Sequence, residues 1–293
     1  MKIVQGDELA FERGLEHRGG TFHYIRLMEG EPGTLGNFQL SLGRIGGDFF
    51  SPRHRHNFDQ FRYQAEGTLD FARDGKLEAG MVGYFPEGVA YGPQTQSAGS
   101  DVSTIVLQFG GASGGGYLSA DEMKAGSAAL RQEGEFKDGV FRRRADVEGK
   151  RNVDGYQAIW EYANARPMAY PEPRLAAPVL MRPGRYDWVP LEPALGVSEK
   201  LLGIFTERKC GVGFLRFAPG GRHDAFGRGV FLVLSGTGTV AKHSLRRLTT
   251  LYLDRAERFS LEADAPMEVL HFMLPDLAVL TTGADRAIAQ AAE

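Results

Sequence analysis

The stretch PRHRHNFDQFRYQAEG, residues 52–67, decides the fold of this chain. It alternates polar and bulky residues with a period of two, the pattern of a β-strand. On one parity stand His54, His56, Gln60, Arg62 and Gln64, and on the other Phe61, Tyr63 and Ala65. Five polar side chains on one face require water, a ligand, a metal or one another, because a buried polar group without a hydrogen bond is costly. Alternation alone would turn that face outward and make His54 and His56 an exposed pair. What completes the set decides between a surface and a site.

Working outward, the same grammar recurs in TFHYIRLMEG (21–30), GNFQLSLGRI (36–45), TLDFARDG (68–75), MVGYFPEG (81–88) and VSTIVLQFGG (102–111). Each run is short, aromatic or β-branched, and closed by Gly, Pro or Asp, which predicts an all-β sandwich or barrel. The 39 glycines, against about 20 at the usual frequency of roughly 7%, suit many tight turns. From about residue 185 a second strand block begins. Its LVLSGTGTV (232–240) lies over YQAEGTLDF (63–71), and TLYLDRAERFS (250–260) over MVGYFPEGVAY (81–91). This is an internal repeat at domain scale.

Between the blocks, SADEMKAGSAALRQ opens with a capping box from Ser119 to Glu122, and DGYQAIWEYANAR opens with Asp154 and Gln157 at the same offset, so two helices are expected. The second puts Tyr156, Ile159, Trp160 and Ala163 on one face, a core-packing stripe. FKDGVFRRRADVEGKR reads as a solvated turn or interdomain brace, and the five prolines of RPMAYPEPRLAAPVLMRPG as a rigid connector. The expected domains are 1–112, a first barrel; 113–184, a helical and proline-rich connector; and 185–293, a second barrel.

The spacing around the opening stretch resembles the cupin superfamily, in its two-domain or bicupin form. In that family's first motif, His-x-His is followed by a Glu four residues later and a Gly seven beyond it; here His54, His56 and Gly67 match, with Gln60 at the Glu position. In the second motif Gly80, Pro86 and Gly88 match, with Tyr91 at the His position. The resemblance covers both strand blocks, about two-thirds of the chain. It implies two jelly-roll (double-stranded β-helix) barrels and a polar pocket open at one end, which turns the polar parity inward.

The resemblance also implies one divalent metal ion (Fe, Mn, Ni or Zn) held by His54, His56 and Gln60. Gln and Tyr are weaker ligands at neutral pH than carboxylate and imidazole, and two histidines bring no charge to offset the ion. Arg62 would hold a substrate carboxylate bidentately or pair with Asp59 or Glu66 at the mouth, and Tyr91 would act in catalysis. Without metal, a histidine and Tyr91 still make an acid/base site. In the second block His223, Ala225 and Gly229 stand where His54, His56 and Gln60 stand, followed by Phe231 and Val233, so that barrel is expected to be apolar inside and structural or dimer-forming. His23 is a candidate third histidine if its strand passes the site.

The reading is therefore a metal-binding bicupin enzyme, dioxygenase-like, acting on a small carboxylated or hydroxylated molecule. Beside it stand a metal-independent His/Tyr isomerase or lyase and a non-catalytic small-molecule-binding barrel. Lys plus Arg number 34 against 37 Asp plus Glu, so bulk positive charge for nucleic acid is missing. No run reaches the roughly 18 apolar residues of a membrane span, which leads to a cytoplasmic reading, with a homodimer as the expected assembly. The single cysteine, Cys210, forms no internal disulfide and reads as a structural thiol.

Overall fold

The computed structural model describes residues 1–14, 20–96, 101–114, 116–275 and 277. Its regular structure is overwhelmingly β, with two α-helices, α1 (Ala120–Leu130) and α2 (Gly155–Asn164), between the strand blocks. The expected all-β chain with a helical connector and two barrels is what is found. Two compact units emerge: Phe11–Ile25 with Glu29–Met181, and Met1–Ala10 with Arg26–Met28 and Arg182–Glu293. Among the described residues, no helix is long and apolar enough to cross a membrane.

In the first unit the sheet order by strand is Val179–Met181, Val82–Phe85, Phe58–Glu66, Val102–Gly110, Phe38–Ile45, Phe22–Glu29, Glu12–Arg13. The strand Phe58–Glu66 lies deep in this sheet and is buried on both faces. Phe61 packs on Tyr84 and Phe109 at ring centroid distances of 5.1 and 5.6 Å, while Gln60, Arg62 and Gln64 on the opposite face are equally buried. This is why alternation alone points the wrong way here: there is no solvated face to read. Gly67 closes the strand at φ +70, and a Cβ there would come within 2.4 Å of the Asp101 carbonyl oxygen, so the turn needs glycine.

Of the expected connector, the part up to Met181 is built into this unit. α1 carries the full capping box between Ser119 and Glu122, and the Asp154 side chain caps α2 by accepting from the Tyr156 and Gln157 amides. The helices pack where Gly126 meets Ile159, and they share a core with Phe58, Leu118, Phe141 and Met168. The arginine-rich stretch is not a solvated turn but a three-stranded sheet, Gly134–Lys137, Val140–Arg143 and Asn152–Asp154. Its hairpin tip, Asp138 and Gly139, takes positive φ at both residues, the turn that Asp-Gly favours. Arg142, Arg143 and Arg144 each meet an acid nearby, Asp138, Glu133 and Asp146. The proline-rich connector ends in the strand Val179–Met181, which adds itself to Val82–Phe85.

The second unit is a ten-stranded sheet, in which the long strand Gly211–Phe226 pairs with three others. Ala225, Phe231 and Val233 are buried in its core with Phe217, Leu261 and Val269, so the interior is apolar as expected. His271, which reads as an isolated strand histidine, stacks flat on Phe231 with ring centroids 4.1 Å apart. Burial, with His223 nearby, pushes it down to about 3. The folded unit therefore holds His271 neutral, whereas an unfolded chain takes up its proton near 6.5. Its contribution to stability is complete above pH 6.5 and falls as the pH drops towards 3, by at most about 1.4 kcal/mol per pH unit. Replacing His271 by Leu should flatten the acid limb of stability over that window, measured as denaturant midpoints at pH 7, 5.5 and 4.5.

Candidate functional site

His54 and His56 lie just before the central strand, where the chain zips onto the second motif. The His54 amide donates to the Tyr91 carbonyl at 3.1 Å, the Tyr91 amide donates back at 2.9 Å, and the Gly88 amide donates to the His56 carbonyl at 2.8 Å. Gly88 has φ +77, and a Cβ there would strike the Pro171 carbonyl oxygen at 2.4 Å. These backbone bonds bring Tyr91 under the two histidines and opposite Gln60 and Arg62 of the strand. All five side chains are at least nine-tenths buried.

The Tyr91 hydroxyl is the point on which the others converge. His54 Nε2 is 3.2 Å from it, His56 Nε2 3.1 Å, Gln60 Nε2 3.0 Å and Arg62 Nη2 2.9 Å. Proton bookkeeping fixes the roles. His54 Nδ1 lies 2.6 Å from the Pro52 carbonyl oxygen, which only accepts, so Nδ1 carries the proton and Nε2 accepts from Tyr91. The phenol oxygen in turn accepts from Arg62 and Gln60, which fill its two lone pairs, and His56 Nε2 closes the cluster 3.1 Å away. Arg62 Nη2 also donates to Gln60 Oε1 at 3.1 Å, and Nη1 to Gln94 Oε1 at 2.9 Å. Arg62 thereby sets the Gln60 amide, holding its NH2 towards the histidines.

A cavity of about 190 Å³ opens beside this network. His54, His56, Gln60 and Arg62 line it, but Tyr91 does not. Tyr91 sits behind the four and positions them. The lining also includes Phe22 and Tyr24, Gln39 and Gln108, and, from the helical segment, Tyr117, Met123 and Tyr156. His23, on the opposite parity from Phe22 and Tyr24, is exposed and brings no third histidine. Arg62 bonds to Gln94, Gln60 and Tyr91, while Glu66 accepts from Ser103 and Asp59 from Tyr84 and the Glu87 amide. Sequence reading missed Tyr156, Tyr117, Gln94 and Gln108. The cue to Tyr156 was its place in the α2 stripe, which reads as core.

The donor set can be tested against a divalent ion. The point between the two imidazoles is taken by the Tyr91 oxygen, Gln60 presents its NH2 rather than its carbonyl, a guanidinium stands 2.9 Å from the same oxygen, and no Asp or Glu is among the cavity-lining residues. Such a set offers N–H donors and positive charge where a cation needs lone pairs and negative charge. As arranged, the residues do not fit Fe, Mn, Ni or Zn. No group of three or more His, Cys, Asp or Glu suited to a metal occurs among the described residues.

Behind the strand, Asp59 forms a second buried polar group. It accepts from the Glu87 amide at 2.8 Å and the Tyr84 hydroxyl at 3.2 Å, while Glu87 is held by Arg174 at 2.6 Å and by Ser113. Burial first, and the neighbouring Glu87 second, push the Asp59 carboxyl up to about 7. Because the folded value exceeds the unfolded one of 3.8, this group's contribution to stability is complete below about pH 4 and is lost as the pH rises to about 7. Asp59→Asn should remove that slope in chemical denaturation between pH 4 and 7. Tyr91→Phe, which strips one oxygen from four partners, should cost about 1–3 kcal/mol of stability by the same measurement.

No protein-family model matches the chain, and no curated protein does. Solved structures share its fold at low identity. A protein of Nostoc punctiforme, provisionally assigned as a dioxygenase, superposes with a TM-score of 0.64 at 11% identity over 94% of this chain and 83% of its own. The Bacillus subtilis oxalate decarboxylase with Mn(II) centers gives 0.54 at 12%, over 94% and 77%. The Escherichia coli pirin YhhW, in complex with nickel(II), gives 0.54 at 10%, over 94% and 98%.

Proposed function

We propose, on the premise that this chain is a two-barrel protein of the cupin fold, that its first barrel binds a small carboxylated or hydroxylated molecule without metal and acts on it by proton transfer, as an isomerase or lyase. The observation that carries this reading is the convergence of two imidazoles, an amide NH2 and a guanidinium on one phenol oxygen. A ligand carboxylate entering the cavity meets Arg62 and N–H donors and no lining carboxylate, which favours an anion. His54 and His56 border the same space, and histidine is the side chain best suited to accept and return a proton near neutral pH. Tyr91 is a positioning residue: it fixes the imidazoles through its hydroxyl and does not itself reach the cavity.

A metal-dependent, dioxygenase-like reaction is the second reading. The manganese and nickel of two structural neighbours support it, as does the convergence of both Nε2 atoms within 3.2 Å of a single point. It requires the Tyr91 oxygen to leave that point and Gln60 to turn its carbonyl inward. The two readings separate cleanly in an experiment on untagged protein. Metal-free chemistry predicts elemental analysis at background, and melting temperatures that rise with small carboxylic acids in the wild type but not in Arg62→Met. Metal near one equivalent per chain, lost in His54→Ala/His56→Ala, would overturn it.

A further inference from the structure

The foregoing chemistry gives no role to the tyrosine of α2. Tyr156 is 4% exposed and lines the cavity; its ring stands edge-on to His56 at 5.5 Å and to Phe58 at 5.1 Å. The Leu118 backbone acts on its oxygen, and the hydroxyl proton has no acceptor among the described residues. A buried donor left in that state costs about 1–3 kcal/mol, and Phe would fill the same core without the penalty. Burial also pushes this phenol well above its usual range, so it remains a donor across working pH. Its surroundings are otherwise aromatic and apolar, with Phe58, Leu118 and Met123 in the same cluster; Tyr117, edge-on to the same Phe58 at 5.0 Å, by contrast donates to Gln108 Oε1 at 2.9 Å.

We propose that Tyr156 is a specificity-determining residue whose hydroxyl donates a hydrogen bond to a second oxygen of the ligand, so that the site selects acids bearing a keto or hydroxyl oxygen over plain alkanoic acids. This rests on the acid-binding reading of the cavity and extends it to the wall that α2 contributes beside His56. A site built to hydrogen-bond a ligand oxygen discriminates strongly against the analogue lacking it, because its own polar group is then stranded. The helical segment thus supplies selectivity to a barrel that supplies charge.

The test is isothermal titration of wild type, Tyr156→Phe and Arg62→Met with C3 to C6 alkanoic acids and their keto and hydroxy derivatives. Wild type should prefer an oxygen-bearing acid by at least tenfold, and Tyr156→Phe should lose that preference while binding the plain acid unchanged. Without ligand, Tyr156→Phe should melt at the wild-type temperature or above it. Equal preference in wild type and Tyr156→Phe, or a lower melting temperature for the free variant, overturns the role of Tyr156 and leaves the acid-binding reading intact. Failure of wild type to bind any of these acids overturns both.

Discussion

The first barrel depends on one oxygen atom. The Tyr91 hydroxyl stands within 3.2 Å of four nitrogens, two from the His-x-His segment and two from the strand after it, and three of these partners are oriented by something further out: His54 by the Pro52 carbonyl, Gln60 by Arg62, Arg62 by Gln94. A buried network of this kind is favourable only when every member is satisfied. The second motif therefore matters less for what it presents to the cavity than for bringing a single acceptor under the polar face. With a histidine at that position, the two imidazoles and Gln60 would lose the atom that now separates and holds them.

The two barrels divide the labour through composition. Where the first has His56, Gln60 and Arg62, the second has Ala225, Gly229 and Phe231, and its interior is closed by apolar packing. The histidines that remain there, His223 and His271, are both shifted towards the neutral form by burial. The same strand framework thus tolerates a polar network in one copy and excludes charge in the other. The difference lies in a handful of inward positions.

The architecture was readable because glycine, proline and the His-x-His spacing are punctuation with fixed backbone meaning, as Gly67 and Gly88 illustrate. The helix caps were equally legible, since Ser119 and Asp154 act on amides only two or three residues away. The state of the site was not. Whether Gln60 offers oxygen or nitrogen is set by Arg62, and whether Tyr91 faces the cavity or backs it is set by a backbone pairing with His54, 37 residues earlier in the same chain. Tyr156 was hidden for a related reason: a stripe of apolar and aromatic residues on a helix looks alike whether it fills a core or forms the wall of a cavity. The hairpin around Asp138 was missed by weighing the arginines over the Asp-Gly turn beside them.

One pairing in the second unit bears on how the protein comes to be folded. Lys2–Gln5 forms its strand contacts with Thr249–Tyr252, in the register Lys2 to Tyr252. During synthesis Lys2–Gln5 lacks these partners for its backbone groups until Thr249–Tyr252, at least 244 residues further along the chain, has been made. Closing so long a loop is an entropic barrier that contacts of short range do not share, and it places completion of that sheet late on the folding route. Until then an unpaired edge at Thr249–Leu253 is open to any other extended chain, which makes Lys2–Gln5 a guard against misassembly as well as a strand.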